Sequence, residues 1–134
     1  MSKTSTREIL AAAARNGLVV PAFNIPYLPM MEPVVGALRE TCAFGLIQVA
    51  RLEWMKFNAG GLKAIRDTYE ECKNERFTRL HLDHVPVIDE DHQAVNVAAI
   101  IGEAIALGYE SVMVDGSRLP LEGNIAATAE VVRL

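Results

Sequence analysis

Polar side chains follow three apolar segments of this chain, at the point where each segment ends. Asn24 closes the run VVPAFN, Asp83 and His84 close TRLHLDH, and Asp115 closes SVMVD. An Asp beside a His, with a second Asp after a neighbouring strand, can bind a divalent metal ion and leave one carboxylate for proton transfer. The pattern therefore predicts metal-assisted acid–base chemistry.

The segment His81-Leu82-Asp83-His84 places three titratable side chains within four positions. Side chains of a strand alternate between its two faces, so His81 and Asp83 share one face while His84 lies on the other. Asp83 and His84 can serve one site only if the backbone turns or bulges at His84. His81 faces away from His84, and we interpret it as a supporting residue.

These residues also have interpretations without chemistry. A strand-end Asp commonly caps the next loop, and Asp115-Gly116-Ser117 fits a simple turn. A single His at a strand end is usually a hydrogen-bonded core residue. For His84 the neighbouring Asp83 favours a functional interpretation, because two adjacent titratable groups are costly to bury without a role.

Strand–helix units that recur about every 30 residues must position these side chains. The strands are short, rich in Val, Ile and Leu, and scarcely alternating, which is typical of parallel strands covered on both faces. Alternating strands and helices predict an α/β fold with a parallel sheet, whose ligands bind at the carboxyl ends of the strands. The predicted strands are 18–24, 45–50, 78–84 and 111–115.

The helices follow from capping signals and apolar periodicity. Ser5 with Glu8 predicts a capping box that opens a helix over 6–15. A second helix is expected over 30–41, a third from Gly61, a fourth capped by Asp89 or Asp91, and a last one from Pro120. The residues expected to face inward on the last three helices are Leu62, Ile65, Tyr69, Cys72, Ala94, Val97, Ala98, Ile101, Ile105, Leu121, Ile125, Ala129 and Val132.

Composition excludes several classes of function. The 134 residues are 51% hydrophobic with a net charge of −4, which is typical of one globular domain and gives no reason to expect nucleic acid or an anionic membrane as a partner. Cys42 and Cys72 form no disulfide framework, and the polar N-terminus has no secretory apolar segment. These features predict a cytoplasmic protein.

Three motifs resemble the class II, metal-dependent fructose-bisphosphate and tagatose-bisphosphate aldolases. They are VPAFNI at 20–25, LHLDH at 80–84 and SVMVDGSRLPLEGNI at 111–125, and they match that family in order and spacing along essentially the whole chain. The resemblance implies a (β/α)₈ TIM barrel that binds Zn²⁺, with a possible second divalent or monovalent cation. It also implies aldol cleavage of a phosphorylated ketose, such as fructose 1,6-bisphosphate, to dihydroxyacetone phosphate and an aldehyde.

The resemblance assigns a role to each strand-end residue. Asp83 matches the catalytic acid/base, and His84 matches one zinc ligand. Asp115 matches an acidic metal-binding residue associated with a second cation, and Asn24 matches a residue that lines the substrate site. The family often has Ser where this chain has Ala50, and this departure bears on the sugar more than on the reaction class.

A (β/α)₈ barrel takes about 250 residues, so residues 1–134 are expected to form a single partial domain. This domain would be the N-terminal half of the barrel, with about four βα units and a short N-terminal helix. We expect a phosphorylated sugar as ligand and a homo-oligomeric assembly, and we expect the fragment alone to be inactive. The alternatives are a half-barrel that dimerises and a metal-binding module without catalysis.

Overall fold

A computed structural model describes residues 3–134 as strands that alternate with helices. Helix α1 precedes the first strand, and a short 3₁₀ turn at Leu28–Met30 precedes α2. The other elements follow in chain order. The bounds are α1 Thr6–Arg15, β1 Ala22–Asn24, α2 Met31–Glu40, β2 Gly45–Ala50, α3 Arg51–Lys56, α4 Leu62–Cys72, β3 Thr78–Pro86, α5 Val97–Ala106, β4 Ser111–Asp115 and α6 Leu121–Val131.

The four strands form one parallel sheet in the order β1-β2-β3-β4. This confirms the predicted α/β fold, and the arrangement is that of part of a TIM barrel. One face of the sheet packs against the helices and forms the core. The best-buried members of that core are Ile25, Met31, Val35, Ile47, Val49, Ile65, Leu80, Leu82, Val85, Ile101 and Ala104.

The other face of the sheet carries the polar side chains. The register pairs Gln48 with His81 and Ala50 with Asp83, so these four residues stand side by side on that face. At the amino end of the same face, Arg79 is only 2% exposed and forms an ion pair with Glu110 at 3.1 Å. The amino end is thus closed by a buried ion pair, which leaves the carboxyl end as the place for a ligand.

Strand β1 is shorter than the predicted 18–24. Leu18 and Val19 are 66% and 92% exposed, and the N–H of Leu18 donates to the carbonyl of Ala13 at the end of α1. That bond holds Leu18 to the helix instead of the sheet. Pro21 follows, and because proline has no N–H it cannot donate to a neighbouring strand.

The predicted cap and the predicted buried face of helix α5 both need correction. Helix α5 is capped by Asn96, whose side chain accepts from the N–H of Ala99, and not by Asp89 or Asp91. Ile105 on the same helix is 46% exposed, whereas Ile101 and Ala104 are fully buried. The helix begins at Val97, later than predicted, and its buried side is the one that carries Ile101 and Ala104.

Helix α6 does not bury the face that its periodicity predicts. Leu121, Ile125 and Val132 are 75%, 60% and 81% exposed. This helix packs beside β4, and within residues 3–134 no fifth strand lies beyond β4 to receive its apolar side chains. No helix within this same stretch is long and apolar enough to cross a bilayer.

Replacing Ile65 tests how strongly α4 depends on the core. Ile65 is 0% exposed, so we expect Ile65→Ala to lower the free energy of unfolding by about 2–5 kcal/mol in urea denaturation. Ile105→Ala is the matched control at a 46% exposed position, and its expected effect is within about 0.5 kcal/mol. Equal losses for both variants would contradict the packing described here.

Candidate active site

The site is formed by an irregularity in β3. Leu82 pairs with Val112 of β4, but the next pairs are Val85 with Val114 and Pro86 with Asp115, so β3 holds one more residue than β4 over this stretch. His84 lies inside the irregularity with a φ of 33°, in the left-handed region. The predicted turn or bulge at His84 is confirmed, and it brings His84 to the same side of the sheet as Asp83.

The imidazole of His84 lies between two carboxylates. Its Nδ1 donates to Oδ2 of Asp115 at 3.1 Å, and its Nε2 is 3.9 Å from Oδ1 of Asp83. The side chain is 54% exposed. Because Asp115 holds the proton on Nδ1, the lone pair of the neutral ring is on Nε2, where it can act as a metal ligand.

Asp115 has two sets of contacts. Its Oδ1 accepts from the N–H of Ser117 at 2.8 Å, which is the turn predicted after β4, and its Oδ2 accepts from His84. The hydrogen bonds from Ser117 lower the pKa of Asp115, and His84 adds to the effect. An ionised Asp115 therefore both caps the turn and orients the His84 ring.

His81 supports the site from β3 itself, two residues before Asp83. Its Nδ1 is 2.8 Å from Oγ of Ser111 on β4, and its Nε2 is 3.9 Å from Oδ1 of Asp83. Burial lowers the pKa of His81, although the carboxylate of Asp83 acts in the opposite direction. The ring is therefore neutral near pH 7, and Oδ1 of Asp83 lies near both imidazoles.

Asn24 and Asp83 are joined by a residue that the sequence did not single out as functional. Nε2 of Gln48 donates to Oδ1 of Asn24 at 2.7 Å and to Oδ2 of Asp83 at 3.0 Å. A polar side chain inside the apolar strand GLIQVA was the available signal. Gln48 therefore places Asn24 and Asp83, two predicted site residues, in one hydrogen-bonded row.

A second unexpected residue lies at the start of α3, a helix that the sequence did not predict. Glu53 is 8% exposed, and its carboxylate accepts from Nδ2 of Asn24 at 3.0 Å and from the N–H of Ala50 at 2.6 Å. The bond to Ala50 satisfies a main-chain donor at the N-terminus of α3, which lacks a side-chain cap from Ala50 itself.

These residues surround a cavity of about 470 Å³ at the carboxyl ends of the strands. Phe57, which is 57% exposed, contributes an aromatic wall, while Trp54 packs against the core. A larger groove of about 660 Å³ lies between α2 and α4 on the helix-covered side, away from these groups. The cavity is lined by Asn24, Ala50, Glu53, Phe57, Asp83, His84, Glu90 and Asp115, among others.

Arg51 does not extend into this cavity. Its Nη1 is 3.5 Å from Oδ2 of Asp89, and both side chains are largely buried. Asp89 also accepts from the N–H groups of Asp91 and Gln93, and these bonds lower its pKa. Arg51 therefore ties α3 to the loop after β3.

The donor set fits part of a zinc site. His84 offers one nitrogen lone pair toward the cavity, in the carboxylate–histidine arrangement common around bound zinc. Over the part of the chain that the structure describes, no group of three or more His, Cys, Asp or Glu side chains is arranged to hold a metal ion. A tetrahedral site needs further ligands from outside this stretch.

A sequence profile described as "Fructose-bisphosphate aldolase class-II" matches residues 4–134. The chain belongs to this family. Class II aldolases are generally zinc-dependent lyases, and the position of Asp83 and His84 at the carboxyl end of a parallel sheet agrees with that membership.

Curated relatives extend well beyond the matched stretch. A fructose-bisphosphate aldolase of Streptococcus pyogenes is 33% identical over 138 residues, which cover 100% of this chain and 43% of the relative. A 6-phospho-5-dehydro-2-deoxy-D-gluconate aldolase of Halalkalibacterium halodurans is 32% identical over 98% of this chain and 43% of the relative. A fructose-bisphosphate aldolase of Treponema pallidum is 28% identical over 95% of this chain and 36% of the relative. This class II aldolase chain thus spans less than half the length of these relatives.

The backbone at His84 can be tested separately from its ring. His84→Gly and His84→Val both remove the imidazole, but a β-branched residue is strongly disfavoured at a φ of 33°. We expect the Val variant to be less stable than the Gly variant by at least about 1 kcal/mol in chemical denaturation. Equal stability, or a more stable Val variant, would contradict the left-handed conformation.

The lowered pKa of His81 predicts a pH dependence of stability. In the unfolded chain a histidine takes up a proton below a pH of about 6.5, whereas the folded state binds this proton only at lower pH because the ring is buried. The unfolded state binds more protons in this window, so the free energy of unfolding falls as the pH drops below about 6.5. In denaturation experiments between pH 7 and pH 5, the free energy of unfolding should fall less steeply with decreasing pH for His81→Asn than for the wild type. An identical slope would contradict the assignment.

Proposed function

We propose that this chain is the N-terminal half of a TIM-barrel aldolase that cleaves a phosphorylated ketose to dihydroxyacetone phosphate and an aldehyde. The single observation that carries the proposal is the bulge that turns Asp83 and His84 toward one cavity. It puts the carboxylate of Asp83 next to the imidazole of His84, which would ligate the metal, at the carboxyl ends of the strands, where ligands of parallel α/β folds bind. Family membership supplies the reaction class.

His84 would hold zinc through Nε2, and Asp115 would fix the ring through Nδ1. We propose that Asp115 is also a metal-site residue, whose carboxylate would bind a second cation. Bound zinc supplies a Lewis acid that withdraws electron density from the ketone of the substrate. The remaining ligands would come from the part of the barrel that lies outside this chain.

Asp83 is the proposed acid/base. Its Oδ2 accepts from Gln48, which leaves Oδ1 toward the cavity to take the proton of the hydroxyl group at the cleaved bond. The residue is 8% exposed, so water has little access to the carboxylate. In the reverse direction, condensation, the same oxygen would return the proton.

Asn24 is the proposed substrate-binding residue. It lines the cavity beside Asp83, where its amide can contact a hydroxyl group of the sugar. The names of the relatives point to two sugars, fructose 1,6-bisphosphate and 6-phospho-5-dehydro-2-deoxy-D-gluconate. Ala50 offers no hydroxyl at the cavity wall, which is the departure that bears most directly on sugar choice.

Completion of the barrel is part of the proposal. The outer edges of β1 and β4 have no neighbouring strand within residues 3–134, and exposed strand edges favour pairing. We propose that further strands complete an eight-stranded barrel in a homo-oligomeric enzyme. Cys42 and Cys72 are free thiols, which supports a reducing cytoplasmic setting.

Assays with and without the rest of the barrel test the proposal. We expect the 134-residue chain alone to release no dihydroxyacetone phosphate from either sugar. A protein in which this chain is joined to the downstream part of the barrel should do so. That activity should be lost in EDTA and restored by Zn²⁺. Asp83→Asn should lower kcat by about 10²–10⁴-fold, the typical contribution of a general base.

Asp91→Asn is the matched control, because it neutralises a carboxylate that is 74% exposed outside the cavity. Its kcat should stay near the wild-type value. Cleavage by the 134-residue chain alone, sensitive to EDTA and to Asp83→Asn, would contradict the requirement for the second half. A completed protein that cleaves neither sugar would overturn the proposed function.

A further inference from the structure

Glu53 is a buried carboxylate with a defined set of donors. An ionised carboxylate only accepts hydrogen bonds. Its Oε1 accepts from Nδ2 of Asn24 at 3.0 Å, and its Oε2 accepts from the N–H of Ala50 at 2.6 Å. The Asn24 side chain must therefore turn its NH₂ group toward Glu53 and its carbonyl oxygen away from it.

This orientation determines the next one along the row. Because Oδ1 of Asn24 faces Gln48, Gln48 must present its NH₂ group, and Nε2 donates to that oxygen at 2.7 Å. The second N–H of Nε2 then points at Oδ2 of Asp83, 3.0 Å away. Both ends of the row are acceptors, so reversing either amide would bring two oxygens together.

We propose that Glu53 is a positioning residue that sets the direction of both amides, so that Gln48 donates to Asp83 and holds the carboxylate in its working orientation. The inference rests on the proposed function for the role of Asp83, but the direction of the amide row is a property of the chain itself. Glu53 touches neither Asp83 nor His84 and acts only through Asn24 and Gln48.

Glu53→Gln should break the row of hydrogen bonds. The glutamine has only one carbonyl oxygen, but two donors face it, the N–H of Ala50 and the NH₂ group of Asn24. We expect the oxygen to stay with Ala50, because that contact is the shorter one and caps α3. An NH₂ group would then face Asn24, which must turn its oxygen toward position 53. Gln48 then has no arrangement that satisfies both of its neighbours, because the same atom, Nε2, lies against Asn24 and against Asp83. If it keeps its NH₂ group there it faces the NH₂ group of Asn24, and if it turns its oxygen there that oxygen meets Oδ2 of Asp83. In either case the pair of bonds that holds the NH₂ group of Gln48 is lost.

A double variant restores the direction. In Glu53→Gln/Asn24→Asp the carboxylate moves from position 53 to position 24, and the net charge equals that of the wild type. A carboxylate at position 24 accepts both from position 53 and from Gln48. The NH₂ group of Gln48 is then again free to donate to Asp83, although the amide is now at position 53 and the carboxylate at position 24.

The side-chain amide signals of Gln48 in ¹⁵N–¹H correlation spectra of the 134-residue chain test the direction. We expect shifted, slowly exchanging NH₂ protons in the wild type, loss of that protection in Glu53→Gln, and recovery in the double variant. Glu90→Gln is the control, since it removes a charge from an exposed residue at the same cavity. Unchanged Gln48 signals in Glu53→Gln, or no recovery in the double variant, would overturn the proposal.

Kinetics of the completed protein separate this inference from the proposed function. Residues that orient a functional side chain typically contribute about 10–100-fold, and we expect a loss of that size in kcat for Glu53→Gln with little change in KM. A completed wild-type protein without aldolase activity would refute the proposed function, while the Gln48 signals would still decide the direction of the row. An active wild type with an equally active Glu53→Gln variant would refute the positioning role.

Discussion

The extra residue in β3 is the constraint on which the site depends. In a regular strand, Asp83 and His84 would point to opposite faces, one toward the cavity and one into the helix-covered core. The left-handed backbone at His84 cancels this alternation and lets Val85 return to the core at 0% exposure. A single irregular position thus gives the cavity two adjacent functional groups without loss of packing in the strand that follows.

The polar row beneath the cavity provides hydrogen-bond donors for the buried carboxylate of Asp83. Asp83 is largely buried, and a buried carboxylate is costly unless donors surround it. Gln48 supplies such a donor from β2, and Asn24 and Glu53 extend the row to the start of α3. Because each amide has a donor end and an acceptor end, the row has a direction as well as a position. The orientation of Asp83 is therefore coupled to the capping of a helix.

The two ends of the sheet differ in what they leave exposed. The amino end is closed by the buried Arg79 and its partner Glu110, while the carboxyl end opens into the cavity. The lateral edges at β1 and β4 and the apolar face of α6 remain uncovered within residues 3–134. Both the unpaired sheet edges and the open side of the cavity belong to the part of the chain that the structure describes.

The sequence by itself determined the parallel α/β sheet, the carboxyl ends of β1, β2 and β4 and the conflict at His84, because strand periodicity and apolar runs are local properties. It placed the end of β3 at His84, whereas the strand continues through the bulge to Pro86. It could not determine that Gln48 and Glu53 belong to the site, because their partners are distant in the sequence. Gln48 is 24 residues from Asn24 and 35 residues from Asp83, and Glu53 is 29 residues from Asn24. The burial of Ile105 and of the α6 face was also wrongly predicted, because burial depends on which elements pack nearby. Only the tertiary structure decided which oxygens and nitrogens face each other, and that arrangement determines what the strand-end residues can do.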